Sequence, residues 1–193
     1  MQVISRLEDL VKRCEVCSFV DKPYLKQAVY RMWLPKKVKV LIVVESPPPS
    51  RKENFFYNLS MFDRLRLSMK TILSLEDLDD REFLCLLRER GVFVTNAVKC
   101  RPMDRVLIPE MRRKCVHILE REIRLLKPKR ILAMGKTAVS SISEIFGLRK
   151  PSSVTTVKEY SLEDIKVVIA PHPNFIFRFR REISGRIKPL IMG

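Results

Sequence analysis

No stretch of this 193-residue chain approaches the ~20 consecutive apolar residues that a membrane-spanning helix requires. Its first residues, Met1 to Cys14, are charged and follow a helical pattern, unlike a secretory signal. A cytoplasmic protein is therefore expected. Acidic side chains are in short supply, with 22 Asp and Glu against 38 Lys and Arg, a formal net charge of +16. That deficit points to a polyanionic partner, nucleic acid first. A solvated cationic surface that merely keeps the protein soluble is the plainer reading. An anionic membrane surface ranks third, because no basic amphipathic stretch with a dominant apolar face stands out. Asn and Gln are scarce while Lys, Arg, Glu and Ile are plentiful, the balance of a thermophile. Repeats, low-complexity segments, linkers and an obvious coiled coil are missing too, so residues 1–193 are expected to form a single domain and a monomer. A chain of this size buries about 70% of its unfolded surface and needs no staple merely to fold.

What is present alternates between two patterns. Val38 to Val44, Gly91 to Asn96, Arg130 to Met134 and Lys166 to Ala170 are short apolar, mostly β-branched runs, which predict strands buried on both faces. Ser5 to Cys14, Met61 to Leu73, Asp80 to Arg90, Pro109 to Leu126 and Gly135 to Phe146 carry apolar residues at helical spacing. Pro109 suits the first position of its helix. Ser153 to Tyr160 reads as an edge strand. Strand and helix in alternation predict an α/β fold with a parallel sheet covered on both faces. Ligands in such sheets bind beyond the carboxyl ends of the strands. Glu45-Ser46-Pro47, Asn96 and His172 each follow a predicted buried strand, so a pocket is expected where they converge.

Five cysteines in a cytoplasmic chain suggest metal or redox chemistry more than disulfides, although intracellular disulfides do occur in thermophiles. Cys14 and Cys17 have C-x-x-C spacing. Cys100 follows the second strand, and Cys115 lies in the next predicted helix. Four thiolates suit zinc or an iron–sulfur cluster. Zinc ribbons usually carry two tight knuckles, and the wide second pair favours a cluster. Four buried small hydrophobes are the plainer alternative, and Cys85, in a Leu-rich helix, is read that way. Lys99, Arg101, Arg112, Arg113 and Lys114 lie beside the cysteines and are candidates to grip phosphates, against the alternative of a solvated helix face.

These residues resemble the uracil-DNA glycosylase superfamily, in particular its iron–sulfur branch, family four. The resemblance rests on Cys14-x-x-Cys17, on Glu45-Ser46-Pro47 after a buried strand, on the run from Phe93 to Pro102, on Cys115, on Pro128 to Ala138, and on Pro171-His172-Pro173-Asn174. It implies a three-layer sandwich around a four-stranded parallel sheet, a 4Fe–4S cluster on Cys14, Cys17, Cys100 and Cys115, and a pocket that holds a flipped base in DNA. Two motifs depart from the family. Its first usually reads Gly-Glu-Ala-Pro-Gly, where this chain has Val44-Glu45-Ser46-Pro47-Pro48. Its last is commonly His-Pro-Ser, where this chain has His172-Pro173-Asn174.

Cleaving a base–sugar bond requires extruding the base, reading it, and stabilising the negative charge it carries away. Asn96 is the candidate reader, since an amide offers both donor and acceptor to the uracil edge. His172 is the candidate anion stabiliser, donating to the base O2. Glu45 either orients water or stabilises the sugar cation, and the alternative is a carboxylate that only orders its loop. Ser46 and Pro47 are expected to line the pocket. Of Phe55, Phe56 and Tyr57, Phe56 is the first candidate to stack on the base. The run from Phe175 to Arg181 reads either as apolar wedges beside cations for duplex insertion or as an ordinary amphipathic helix. Lys136, Arg178 and Arg180 complete the expected DNA contacts. The expected activity is monofunctional excision of uracil or a related deaminated base, which initiates base excision repair. The alternatives are a non-catalytic iron–sulfur nucleic-acid-binding module of the same fold and a cluster-bearing redox or sensor protein.

Overall fold

A computed structural model describes residues 2–193. The strands are β1 (Val40–Val44), β2 (Val92–Asn96), β3 (Arg130–Met134), β4 (Lys158–Ser161) and β5 (Lys166–Ala170). The helices are α1 (Gln2–Lys12), α2 (Pro23–Lys26), α3 (Val29–Trp33), α4 (Arg64–Leu73), α5 (Asp80–Arg90), α6 (Ile108–Leu126), α7 (Lys136–Ile145), α8 (Pro173–Phe179) and α9 (Ser184–Met192). One sheet runs in the order β2-β1-β3-β5-β4. The parallel set numbers four, as the resemblance implies. The sheet itself has five strands, because β4 adds antiparallel to β5 at the edge. This edge strand is shorter than the span 153–160, since its pairing with β5 runs only from Lys158↔Ile169 to Ser161↔Lys166.

The four parallel strands are apolar because both their faces are covered, and nearly every residue in them is buried. Helices flank the sheet: α4 packs on α8 and α9, and α6 on α1 and α7. Local chemistry fixes several helix ends. Asp79 and Glu82 form a reciprocal capping box at the start of α5, and Gly91 ends it with φ +78°. Chain direction from β1 leads to β2 on one side, while β3 lies on the other, so the strand order reverses beside β1. A crevice opens at such a reversal, outside the carboxyl ends of the strands.

Candidate functional site: a cleft at the strand ends and a four-thiol cavity

The cleft lies where the strand order reverses. Glu45 and Ser46 follow β1, Asn96 ends β2, Gly135 and Lys136 follow β3, and His172 follows β5; all six line it. Phe55 and Phe56 close one side, and Arg64, Phe62, Arg178 and Phe179 rim it. The structure thus brings together Glu45, Asn96 and His172. Pro47 is buried beneath the loop, while Pro48 and Pro49 face the cleft.

Each of the three polar groups is held differently. Asn96 is 4% exposed. The Tyr24 hydroxyl donates to its Oδ1 at 2.6 Å. Nδ2 has no hydrogen-bond partner among the described residues, so the amide's donor remains available to a ligand. Glu45 accepts from Thr137 Oγ1 at 2.7 Å and from Arg105 Nη2 at 3.0 Å. Arg105 is largely exposed, so that ion pair forms at the cleft mouth. His172 caps α8: its Nδ1 accepts from the Asn174 backbone N–H at 3.2 Å. With Nδ1 accepting, the neutral ring carries its proton on Nε2. Burial lowers the His172 pKa below the usual 6.5, the Glu45 charge opposes that, and Arg105 reinforces it. The ring is therefore neutral at pH 7 and donates from Nε2. Gly135 makes room for it. A Cβ there would meet His172 Cβ at 3.1 Å, and the backbone sits at φ +91°.

The aromatic run divides. Phe55 and Phe56 line the cleft. Tyr57 instead turns into the core, stacking near Trp33 and Phe93 and bonding both the Val94 N–H and C=O, so it is not a stacking platform for a cleft ligand. Sequence reasoning missed the residue that shapes this loop. Arg66, 1% exposed, donates to the carbonyls of Phe56 and Met61 at 2.7 Å and pairs with Asp80. It also missed Tyr24, Arg105 and Thr137, whose partners lie far away in sequence.

Two expected phosphate contacts are corrected. Lys99 and Arg101 are 1% and 2% exposed and cannot reach a DNA backbone. Lys99 pairs with Glu122 and Thr95 in the interior. Arg101 pairs with Asp21 at 2.9 Å and donates to the Pro48 carbonyl at 2.8 Å, bracing the proline loop. Burying an unpaired cation is prohibitive, so each carries its acid with it. Lys136 and Arg178 do line the cleft, joined by Lys52 and Arg64. Arg180 lies beyond it and pairs with Glu182.

Cys14, Cys17, Cys100 and Cys115 line a single cavity between the N-terminal segment, the end of β2 and α6. All are free thiols, and Cys85 lies elsewhere against the core. Among the described residues no three such side chains close tightly around one point to hold a single ion. The four cysteines line one narrow cavity instead. Burial pushes the Cys100 thiol up to about 12 and Cys115 up to about 11, and the neighbouring thiols add to each shift. Both stay protonated on their own, and holding all four as thiolates would call for a cationic centre among them. The Lys99 backbone N–H already points at Cys115 Sγ, at 3.4 Å. The donor set therefore fits a cluster that takes four thiolates.

Fold and cleft together define a class: an α/β domain with a basic crevice across parallel strand ends, set with a glutamate, an asparagine and a neutral histidine. The family model described as the uracil DNA glycosylase superfamily matches residues 32–189, and the chain belongs to that superfamily. Within it, the chain is similar to proteins named type-4 uracil-DNA glycosylase. The one from Pyrobaculum aerophilum is 28% identical over 182 residues, covering 91% of this chain and 85% of that protein. The one from Thermotoga maritima is 35% identical over 111 residues, 53% of this chain and 56% of the relative. The one from Archaeoglobus fulgidus is 33% identical over 113 residues, 54% and 57%. The chain thus spans little more than half the length of two of these relatives.

Proposed function

We propose that the protein is a monofunctional DNA glycosylase that flips uracil or a related deaminated base into the cleft and hydrolyses its N-glycosidic bond. The observation that carries this reading is the pairing of a fixed amide with a neutral imidazole across one crevice. Asn96 offers Nδ2–H to the base O4 and the free lone pair of Oδ1 to N3–H. Cytosine presents the reverse pattern and would leave buried groups unpaired. His172 Nε2–H donates to O2 as negative charge grows there, in a site where such a donor is worth more than in water. Glu45, placed by Thr137 and Arg105, faces the sugar side, where it orients a water or balances the positive charge on the sugar. Phe56 and Phe55 supply the apolar wall against which the base stacks. Phe62 and Phe179 are 69% and 67% exposed at the rim, large apolar side chains in position to fill the gap left in a duplex. Lys52, Arg64, Lys136 and Arg178 hold the phosphates.

Cys14, Cys17, Cys100 and Cys115 would hold a 4Fe–4S cluster, which would tie the N-terminal segment to the loop after β2 and to α6. Its content is checked by iron and sulfide analysis of anaerobically purified protein, with about four of each per chain expected.

The test of activity is excision from oligonucleotides carrying uracil opposite guanine, uracil opposite adenine, single-stranded uracil, or hypoxanthine, followed by alkaline cleavage at abasic sites. Cleavage of at least one, abolished in Asn96→Ala, is expected. Intact DNA binding without cleavage of any substrate, up to the unfolding temperature, would overturn the proposal.

A further inference from the structure

The amide of Asn96 can discriminate bases only if its two ends are not interchangeable. A carboxamide rotated by half a turn presents acceptor where donor was and favours cytosine's edge over uracil's. Nothing in β2 itself prevents that rotation. The Tyr24 side chain does, because its hydroxyl meets Oδ1 at 2.6 Å. The phenol keeps its proton, since burial and then the nearby Glu122 charge push it far above its ordinary range. Its alternative acceptor is Thr95 Oγ1, at 3.4 Å. That oxygen donates to Glu122 at 2.9 Å and accepts from Lys99, and at 3.4 Å its remaining lone pair is a much weaker acceptor than Asn96 Oδ1 at 2.6 Å.

Tyr24 is itself held on several sides. Its ring is 1% exposed, meets Phe55 edge-on at 5.4 Å, leans on Tyr30 at 5.5 Å, and has the Lys99 ammonium 5.2 Å from its centroid. The backbone before it is fastened to the strand-end loop through Val20 N–H to Arg101 O and Arg101 N–H to Asp21 O, at 2.9 and 3.0 Å. Tyr24 also lies before residue 32, outside the region that the superfamily model matches.

We propose that Tyr24 is a positioning residue: its hydroxyl fixes the orientation of the Asn96 carboxamide and so sets the preference for a uracil-type over a cytosine-type base edge. The inference rests on Asn96 being the base reader. Losing the hydroxyl frees the amide to rotate, so both orientations become populated.

Three variants of the cluster-loaded, full-length protein test it under single-turnover conditions, with oligonucleotides carrying uracil or cytosine. Tyr24→Phe is expected to slow uracil excision only by the fraction of amide that turns away, about twofold for an even population, and to narrow the uracil-to-cytosine ratio about tenfold, the equivalent of about 1.4 kcal/mol, as cytosine excision rises. Tyr30→Phe removes a neighbouring hydroxyl that bonds Glu122 at 2.8 Å. It is expected to lower the melting temperature and leave the ratio unchanged. A Tyr24→Phe ratio equal to wild type, whatever the rate, would overturn the inference, since a purely structural role slows excision without altering selectivity. Undiminished excision by Asn96→Ala would instead remove the base-reading proposal beneath it. A neutron map of the native protein gives a check that no variant's folding can blur. Deuterium on the Tyr24 oxygen, aimed at Asn96 Oδ1, supports the proposal, and Nδ2 at that position refutes it.

Discussion

The two walls of the cleft are built on opposite plans. On the β2 side Asn96 sits above a buried polar network in which Lys99, Glu122, Thr95 and Tyr30 satisfy one another away from water. On the β1–β5 side Glu45 and His172 are only partly covered, and the glutamate's ion pair with Arg105 reaches the surface. The first wall is sealed from water and the second meets it. Under the proposed function this division has a use: an amide that reads a hydrogen-bond pattern must not rotate, whereas groups that would meet a changing charge at the sugar and base could adjust once DNA arrived.

The sharpest way to break this contrast is to remove one charge from each wall. Lys99→Met leaves Glu122 buried and unpaired and is expected to cost about 3–5 kcal/mol in urea unfolding. Glu45→Gln, at the half-exposed pair, is expected to cost under about 1 kcal/mol. Equal losses would mean that the walls do not differ in the way described. Next in size are the functional deletions. Asn96→Ala and His172→Ala are each expected to remove about 2–4 kcal/mol of transition-state stabilisation, read from single-turnover excision well below each variant's melting temperature, since the one strips the Tyr24 hydroxyl of its acceptor and the other strips α8 of its cap. A smaller effect separates the walls by pH. Because the folded state holds the His172 pKa below 6.5, the unfolded chain takes up that proton first on acidification. Stability contributed by neutral His172 is complete above pH 6.5 and is lost as pH falls toward and through the lowered folded value. His172→Gln should flatten that part of the profile, whereas Asn96→Ala should not. The smallest effect is at the rim. Lys136→Ala should reduce the slope of log affinity for DNA against log salt by about one, while Arg101→Lys, an interior change, should leave the slope alone.

How much of this was legible in the sequence depended on the range of the physics involved. The buried strands and the long helices were readable because burial on both faces, or on one stripe, writes itself into consecutive residues: 130–134, 166–170 and 80–90 fall as the patterns predict. Asn96 and His172 were placed together by the rule that strand ends converge. The short helices α2 and α3 span four and five residues, too few for a period to show, and Tyr24 was hidden there. Lys99 and Arg101 were misplaced because a basic residue beside a glycosylase-like motif looks like a phosphate contact. Their acids, Glu122 and Asp21, lie 23 and 80 residues away, and no local pattern announces them. Arg66 was missed for the same reason, since its main partners are carbonyls in an irregular loop.

The polar contacts that frame the cleft have one more property in common. Tyr24 reaches Asn96 across 72 positions, Arg105 reaches Glu45 across 60, Thr137 reaches Glu45 across 92, and Ser68 reaches Asn174 across 106. Contacts of such long range form only after the intervening loops have closed, and they set a slow pace for folding. During synthesis β1 and β2 can pair long before α8 has left the ribosome, but the cleft is not complete until residues 172–179 have joined it. A chain cut just before His172 would keep every strand of the sheet and lose one whole side of the crevice.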